Sequence, residues 1–139
     1  MSAHTIRKSI ESRGNSHMLE ITSEVSEAVA GTELQTGIAT VFVTGSTAGI
    51  TTIEFEPGLE HDFNAAFERL FPRELPYHHH ERWGDDNGHS HVRASTLGPS
   101  LTVPFQDARL MLGTWQQIIL IDFDTRPRTR NYVVQVLGE

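Results

Sequence analysis

The chain contains no cysteine. That excludes disulfide frameworks, thiolate-type zinc centres and thiol catalysis, and leaves histidine and carboxylates as the only strong metal ligands. Long hydrophobic runs are missing as well. No apolar stretch approaches the roughly 20 residues that cross a bilayer, and the N-terminal MSAHTIRKSIESRGN has no signal-like apolar core, so a cytoplasmic location is the default expectation. Positive charge is scarce. Eleven Lys and Arg stand against 18 Asp and Glu, a formal net charge of −7 at pH 7, with no basic cluster broad enough for a nucleic-acid or anionic-membrane face.

What is present suits one domain spanning residues 1–139, with 37% hydrophobic residues to fill a single core. Residues 5–11 and 17–21 alternate apolar and polar around Arg13, Gly14 and Asn15, which predicts a hairpin. Thr22 and Ser23 can cap a helix through Ala30. Segments 37–44 and 50–55 are β-branched and flank a small-residue turn, Gly45 to Gly49, predicting a second strand pair. Residues 58–71 are the clearest helix: Leu59, Phe63, Ala66, Phe67 and Leu70 recur at helical spacing between Pro57 and Pro72. From Ser100 onward, segments 101–105, 109–112, 116–123 and 131–137 read as strands. Strands before and after two helices, with no βαβ rhythm, predict an α+β domain: a mostly antiparallel sheet with two main helices beside it.

The most informative window is Tyr77 to His91, YHHHERWGDDNGHSH, which holds five of the eight histidines together with Glu81, Asp85, Asp86 and Asn87. Its length and lack of periodicity predict a functional loop. Imidazoles and carboxylates serve metal binding or proton transfer near neutral pH. His89 and His91 share a face only if the segment is extended. A third nitrogen from His78, His79 or His80 would complete a three-histidine site, and Asp85 or Asp86 would instead give a two-histidine, one-carboxylate site. The same aspartates, as hard oxygen donors, could hold Mg²⁺ against a substrate phosphate, or Asp85 to Gly88 could be only a turn.

Elsewhere, Trp115 in LGTWQQ could stack on a heteroaromatic ring with Gln116 orienting it, or pack in a core or interface. Arg126, Arg128 and Arg130 alternate, which would point them one way, toward phosphate or toward solvent. GSTAG lacks the phosphate-loop pattern and reads as a tight turn. Glu54 is a lone carboxylate at a strand end, open to either a site or a solvent-facing role.

STAGITTIE, YHHH…DDNGHSH and LGTWQQIILIDFD followed by PRTR together resemble the YjbQ-like family, also called secondary thiamine-phosphate synthase proteins. The resemblance covers the chain from about Gly37 onward. It implies a small α+β homotrimer with sites near subunit boundaries. It carries site roles onto Thr47, Ala48, Glu54, His79, Asn87, His91, Gly113, Thr114, Trp115, Gln116 and Arg128. The implied reaction joins a pyrimidine diphosphate to a thiazole phosphate with Mg²⁺, Asp85 or Asp86, Arg128 and Trp115 supplying metal, phosphate and ring contacts.

The expected assignment is therefore Glu54, Asn87 and His91 as catalytic groups. Thr47, Thr114, Trp115, Gln116 and Arg128 would bind a small phosphorylated ligand. His79, His89, His91 and Asp86 would hold a divalent metal, Mg²⁺ or Zn²⁺. Two other functions suit the same residues: a metal-dependent hydrolase, and a non-catalytic trimeric protein that binds a metal or small anion. Many relatives carry histidine where this chain has Gly45 and a small residue where it has His89, so His89 is expected to replace the missing imidazole. Relatives also tend to have glycine at Ala108.

Overall fold

The computed structural model describes all residues, Met1–Glu139. Eight strands and four helices follow one another as β1 (Ser2–Ser12), β2 (His17–Glu20), α1 (Thr22–Ala30), β3 (Thr36–Val43), β4 (Ala48–Ile53), α2 (Pro57–Leu70), α3 (His78–Trp83), α4 (Gly88–Leu97), β5 (Ser100–Gln106), β6 (Arg109–Leu110), β7 (Gln117–Asp122) and β8 (Arg128–Gly138). The strands form two sheets, one in the order β1-β8-β3-β5-β6 and one in the order β2-β7-β4, and every pairing is antiparallel. The α+β class is as read from the sequence, with one sheet become two and two helices added.

β7 organises the layers. Its run Ile118–Ile121 is apolar at every position and fully buried, as a strand covered on both faces must be. Ile118 and Leu120 point into a core shared with Val25 and Val29 of α1, Val41 of β3, Phe105 of β5 and Val134 of β8. Ile119 and Ile121 point the other way and meet Met18, Phe67 of α2, Ala94 of α4 and Phe123. The larger sheet has no helix over its outer face, where Ile38, Phe42 and Leu137 stand partly exposed.

Two predicted hairpins do not form. β1 pairs with β8 and β2 with β7, so the turn at Gly14 joins different sheets. β3 likewise lies in the large sheet while β4 pairs with β7. The alternating patterns gave the strands correctly, but buriable faces, not sequence proximity, chose the partners. Asp107 and Ala108 form a tight turn between β5 and β6, with φ of 53° and 57°. That left-handed geometry favours glycine, and here alanine carries its cost.

The predicted histidine-rich loop is helical. Tyr77 precedes α3, Gly84 ends it in a left-handed conformation (φ 65°), and α4 starts after Asn87. The far end of α4 is seated on β4 by a close approach at Gly49. A Cβ there would lie 2.7 Å from Leu97 Cδ2 and 2.9 Å from the Gly98 carbonyl oxygen, which itself accepts a hydrogen bond from the Ile50 amide at 3.0 Å. Gly49→Ala should therefore lift the helix that carries His91 and cost about 1–3 kcal/mol, as overpacking does; urea denaturation of the variant beside the parent chain measures it.

Candidate functional site

The site is built where β7 ends. Residues 118, 120 and 122 share the face between the two sheets, so Asp122 is carried into the interior, where it is fully buried. Arg130 of β8 meets it: Nη2 lies 2.6 Å from Asp122 Oδ1 and donates to Thr47 Oγ1 at 2.5 Å. Thr47 Oγ1 in turn donates a hydrogen bond to Asp124 Oδ2 at 3.1 Å. Asp124 Oδ1 accepts from Asn87 Nδ2 at 3.2 Å and from the Thr125 amide at 2.8 Å, and Arg128 Nη1 approaches Oδ2 at 3.3 Å. Burial alone would raise the Asp124 pKa; the hydrogen bonds from Thr125, Asn87 and Thr47 and the charge of Arg130 outweigh it and hold the carboxyl below its ordinary value.

Asn87 ties this carboxylate to the histidines. It sits at the N-terminal boundary of α4, and its carbonyl accepts from the amide of His91 at 3.3 Å. His91, one turn on, lies against His79 of α3 with ring centroids 4.4 Å apart. His79 Nε2 is 3.2 Å from Asp85 Oδ2. Burial, and secondarily the His79 charge, lower the His91 pKa against the opposing pull of Asp124 and Asp85, so His91 is a neutral imidazole near pH 7. Asp85 and Asn87, which hold His79 and the His91 backbone, connect the pair to a cleft of about 520 Å³ lined by these two residues with Asp86, Asp124, Thr125, Arg126, Pro127 and Arg128; the two imidazoles stand behind this lining.

The three consecutive histidines have separate places. His78 is exposed beside Glu81. His80 Nε2 accepts the Gly88 amide at 2.9 Å and so satisfies the start of α4. His79 alone of the three meets His91.

Several expected groupings are not assembled. His89 and His91 lie on a helix, where residues two apart diverge by roughly 200°, and His89 is buried on the side away from His79. It does not substitute for an imidazole at position 45. The space beside Gly45 is filled by Arg130, whose Nη1 lies 2.7 Å from where a Cβ would be. Asp86 is exposed and accepts from Thr125 Oγ1 at 3.0 Å, apart from the histidine pair. No three His, Asp or Glu side chains converge in a metal-ready arrangement. Of the three arginines expected to point one way, Arg128 and Arg130 converge on Asp124 Oδ2, at 3.3 and 3.9 Å, Arg130 from the buried side, while Arg126 is exposed at the rim of the cleft.

Glu54, Thr114, Trp115 and Gln116 lie at the other end of β7. Ala48 pairs with Asp122 but Ile53 with Gln117, so five strand residues, roughly 17 Å, separate the two ends. There Gln116 donates to Thr52 Oγ1 at 3.2 Å and accepts from the Gly113 amide at 3.1 Å. Trp115 packs in no core; it is 72% exposed. Sequence reading missed Asp122 and Asp124, and left Arg130 open between phosphate and solvent rather than paired with a buried carboxylate. The usable signal was a charged residue falling in core-facing register at the end of an all-apolar strand.

A family model described as UPF0047 protein YjbQ-like matches residues 6–139. The chain belongs to this YjbQ-like family. Curated UPF0047 relatives include one from Methanocaldococcus jannaschii, 31% identical over 131 residues, covering 94% of this chain and 91% of that one. Another, from Methanothermobacter thermautotrophicus, is 37% identical over 122 residues, 88% of this chain and 83% of that one. Among solved structures, a protein of unknown function from Sulfolobus solfataricus superposes with a TM-score of 0.89 at 29% identity, covering 99% of this chain and 100% of the other. One from Clostridium acetobutylicum gives 0.87 at 32%, covering 95% and 99%. None of these YjbQ-like names carries an activity. No helix of the chain is long and apolar enough to cross a membrane.

The buried imidazole of His89 generates a pH prediction. Burial first, then Arg93 and Arg73, lower its pKa from 6.5 to about 4. A histidine whose folded pKa is depressed stabilises the fold above its unfolded value and loses that contribution as the pH falls. Stability should therefore drop between pH 6.5 and about 4, with a shallower slope in His89→Ala, read by urea denaturation across that range.

Proposed function

We propose that this protein is an enzyme acting on a small phosphorylated molecule in the cleft at the end of β7, with His91 as its proton acceptor. The observation that carries this is the neutral His91 held against His79, whose far side is fixed by Asp85. An imidazole that is unprotonated near pH 7 and oriented by a carboxylate-linked neighbour is suited to general base catalysis. Arg128, half exposed beside Asp124, and Arg126 present guanidinium groups to the cleft for a phosphate. Its lining includes no hydrophobic residue, which suits a strongly hydrated substrate group.

The cleft's oxygen donors do not form a complete cage, but they suit a divalent cation that takes its other ligands from the substrate phosphate and water. Asp85 Oδ1 and Asn87 Oδ1 are buried with no hydrogen-bond partner, next to Asp124. Such oxygens hold Mg²⁺ in preference to zinc, and a bound Mg²⁺ would neutralise the substrate's phosphate. Hydrolysis of a phosphorylated compound is the simplest reaction these groups support.

A second reading, the joining of a pyrimidine diphosphate to a thiazole phosphate, draws on the same oxygen donors and arginines. It also needs an aromatic wall, and Trp115 stands at the opposite end of β7. Assembly as a homotrimer would supply that wall if the Glu54–Trp115–Gln116 end of one subunit faces the Asp124 cleft of the next. The uncovered sheet face bearing Ile38, Phe42 and Leu137 is a surface such assembly could bury.

The test is a mass-spectrometric screen of the untagged protein with Mg²⁺ against phosphomonoesters and against the pyrimidine–thiazole pair. His91→Ala should cost about 10²- to 10⁴-fold in kcat on whichever substrate reacts. Arg128→Ala should mainly raise KM. Unchanged turnover in His91→Ala would end the base assignment. Where the pair condenses, mixing His91→Ala with Trp115→Ala subunits should restore activity, and its failure to do so would rule out sites shared between subunits.

A further inference from the structure

The opposite face of α4 from His91 borders a separate, solvent-open pocket of about 410 Å³, walled by the β1–β2 turn, α2 and the segment after it. Its functional lining is Ser16, Asn64, Glu68, Arg73, His89 and Arg93, two guanidinium groups against one carboxylate. Arg93 is 5% exposed. Its Nη2 is held by Glu68 at 2.6 Å and the Phe71 carbonyl at 2.8 Å. Its Nη1 has only a long contact of 3.5 Å to Ser16 Oγ, so donor capacity remains there. Arg73 adds a second, half-exposed cation, whose Nη1 donates to Asn15 Oδ1 at 3.1 Å and whose Nη2 stands 3.9 Å from Asp86 Oδ2.

Two acceptors in the same wall have no partner: Asn64 Oδ1 and His89 Nδ1 are both buried and unsatisfied. Ser90 Oγ donates to the Phe123 carbonyl at 2.5 Å, which favours the tautomer in which His89 Nε2 carries the proton toward Ser90 Oγ, 3.4 Å away. Nδ1 is left with a lone pair, and the neighbouring guanidinium groups oppose its protonation. Leaving two such acceptors unpaired costs free energy that a donor in the pocket would recover.

From these groups we propose that this pocket is a second binding site, for a hydrogen phosphate group, free or at the end of a small molecule, and that it rejects sulfate. The guanidinium groups require negative charge, while Asn64 and His89 require a donor. A tetrahedral oxyanion that keeps a proton near neutral pH meets both demands. Phosphate does so; sulfate, fully deprotonated, would set its oxygens against the two lone pairs. None of these six residues lines the Asp124 cleft, so the site stands whether or not the catalytic reading does.

The experiment is NMR titration of the ¹⁵N-labelled full chain with inorganic phosphate and, at matched ionic strength, sulfate. Phosphate should shift the amides around Asn64, His89 and Arg93 saturably, and sulfate should not. Arg73→Ala, at an exposed side chain, and Asn64→Asp, which places a carboxylate on the anion, should each weaken phosphate binding about tenfold or more. Glycerol phosphate binding tighter than inorganic phosphate at the same amides would assign an organic monoester; equal affinity would assign the free anion. Equal response to sulfate, no saturable shift, shifts confined to the Asp124–Arg128 cleft, or unchanged affinity in both variants would overturn the proposal.

Discussion

Everything in this molecule is arranged around a strand with no solvent face. Because β7 is apolar on both sides, it needs a layer on each, and the chain supplies the large sheet with α1 on one and α2 with α4 on the other. The last residue of that strand is an aspartate in core-facing register. An unpaired carboxylate there would be prohibitive, so Arg130 must be present, and the pair needs further hydrogen bonds to be tolerated. Thr47 supplies one from β4. The path Asp122–Arg130–Thr47–Asp124–Asn87 thus links the buried ion pair to the first residue before α4. The candidate site is where a core constraint reaches the surface.

The same logic explains why the histidines are helical. An extended loop would leave its backbone groups to water and could place His89 and His91 side by side. Instead the segment breaks at Gly84 and restarts after Asn87, with His80 accepting the amide that begins α4. Once the helix is set, its two faces must differ. One meets His79 and Asp85; the other is packed against α2 and the segment that follows it, which is why His89 is neutral and buried while its neighbour two residues on serves another site.

Legibility in the sequence follows these physical divisions. Strands and α2 were readable because periodicity records which face is buried, and the α+β class followed from their order. Partners were not, since nothing in residues 5–21 says that β1 will seek β8 and β2 will seek β7. The histidine-rich window stood out by its composition alone. Its internal geometry was not legible, because Gly, Asp and Asn between the histidines suit a turn and a helix start equally. Arg130 shows the limit most sharply: it shares its alternation with Arg126 and Arg128, which are exposed, and only its deeper position along β8, beside Asp122, buries it.

The residues that the family resemblance singles out fall at both ends of β7, and a single subunit cannot bring them together. Thr47, Asn87, His79, His91 and Arg128 gather at one end; Glu54 and Gly113 to Gln116 gather at the other. A rigid, doubly buried strand cannot shorten the roughly 17 Å between them. Either the ends serve different purposes, or they meet between copies. The exposure of Trp115, two residues before a strand whose Ile118–Ile121 run is fully buried, favours the second. A large aromatic left in water beside two polar anchors, Thr114 and Gln116, has the composition of an interface group awaiting its counterpart.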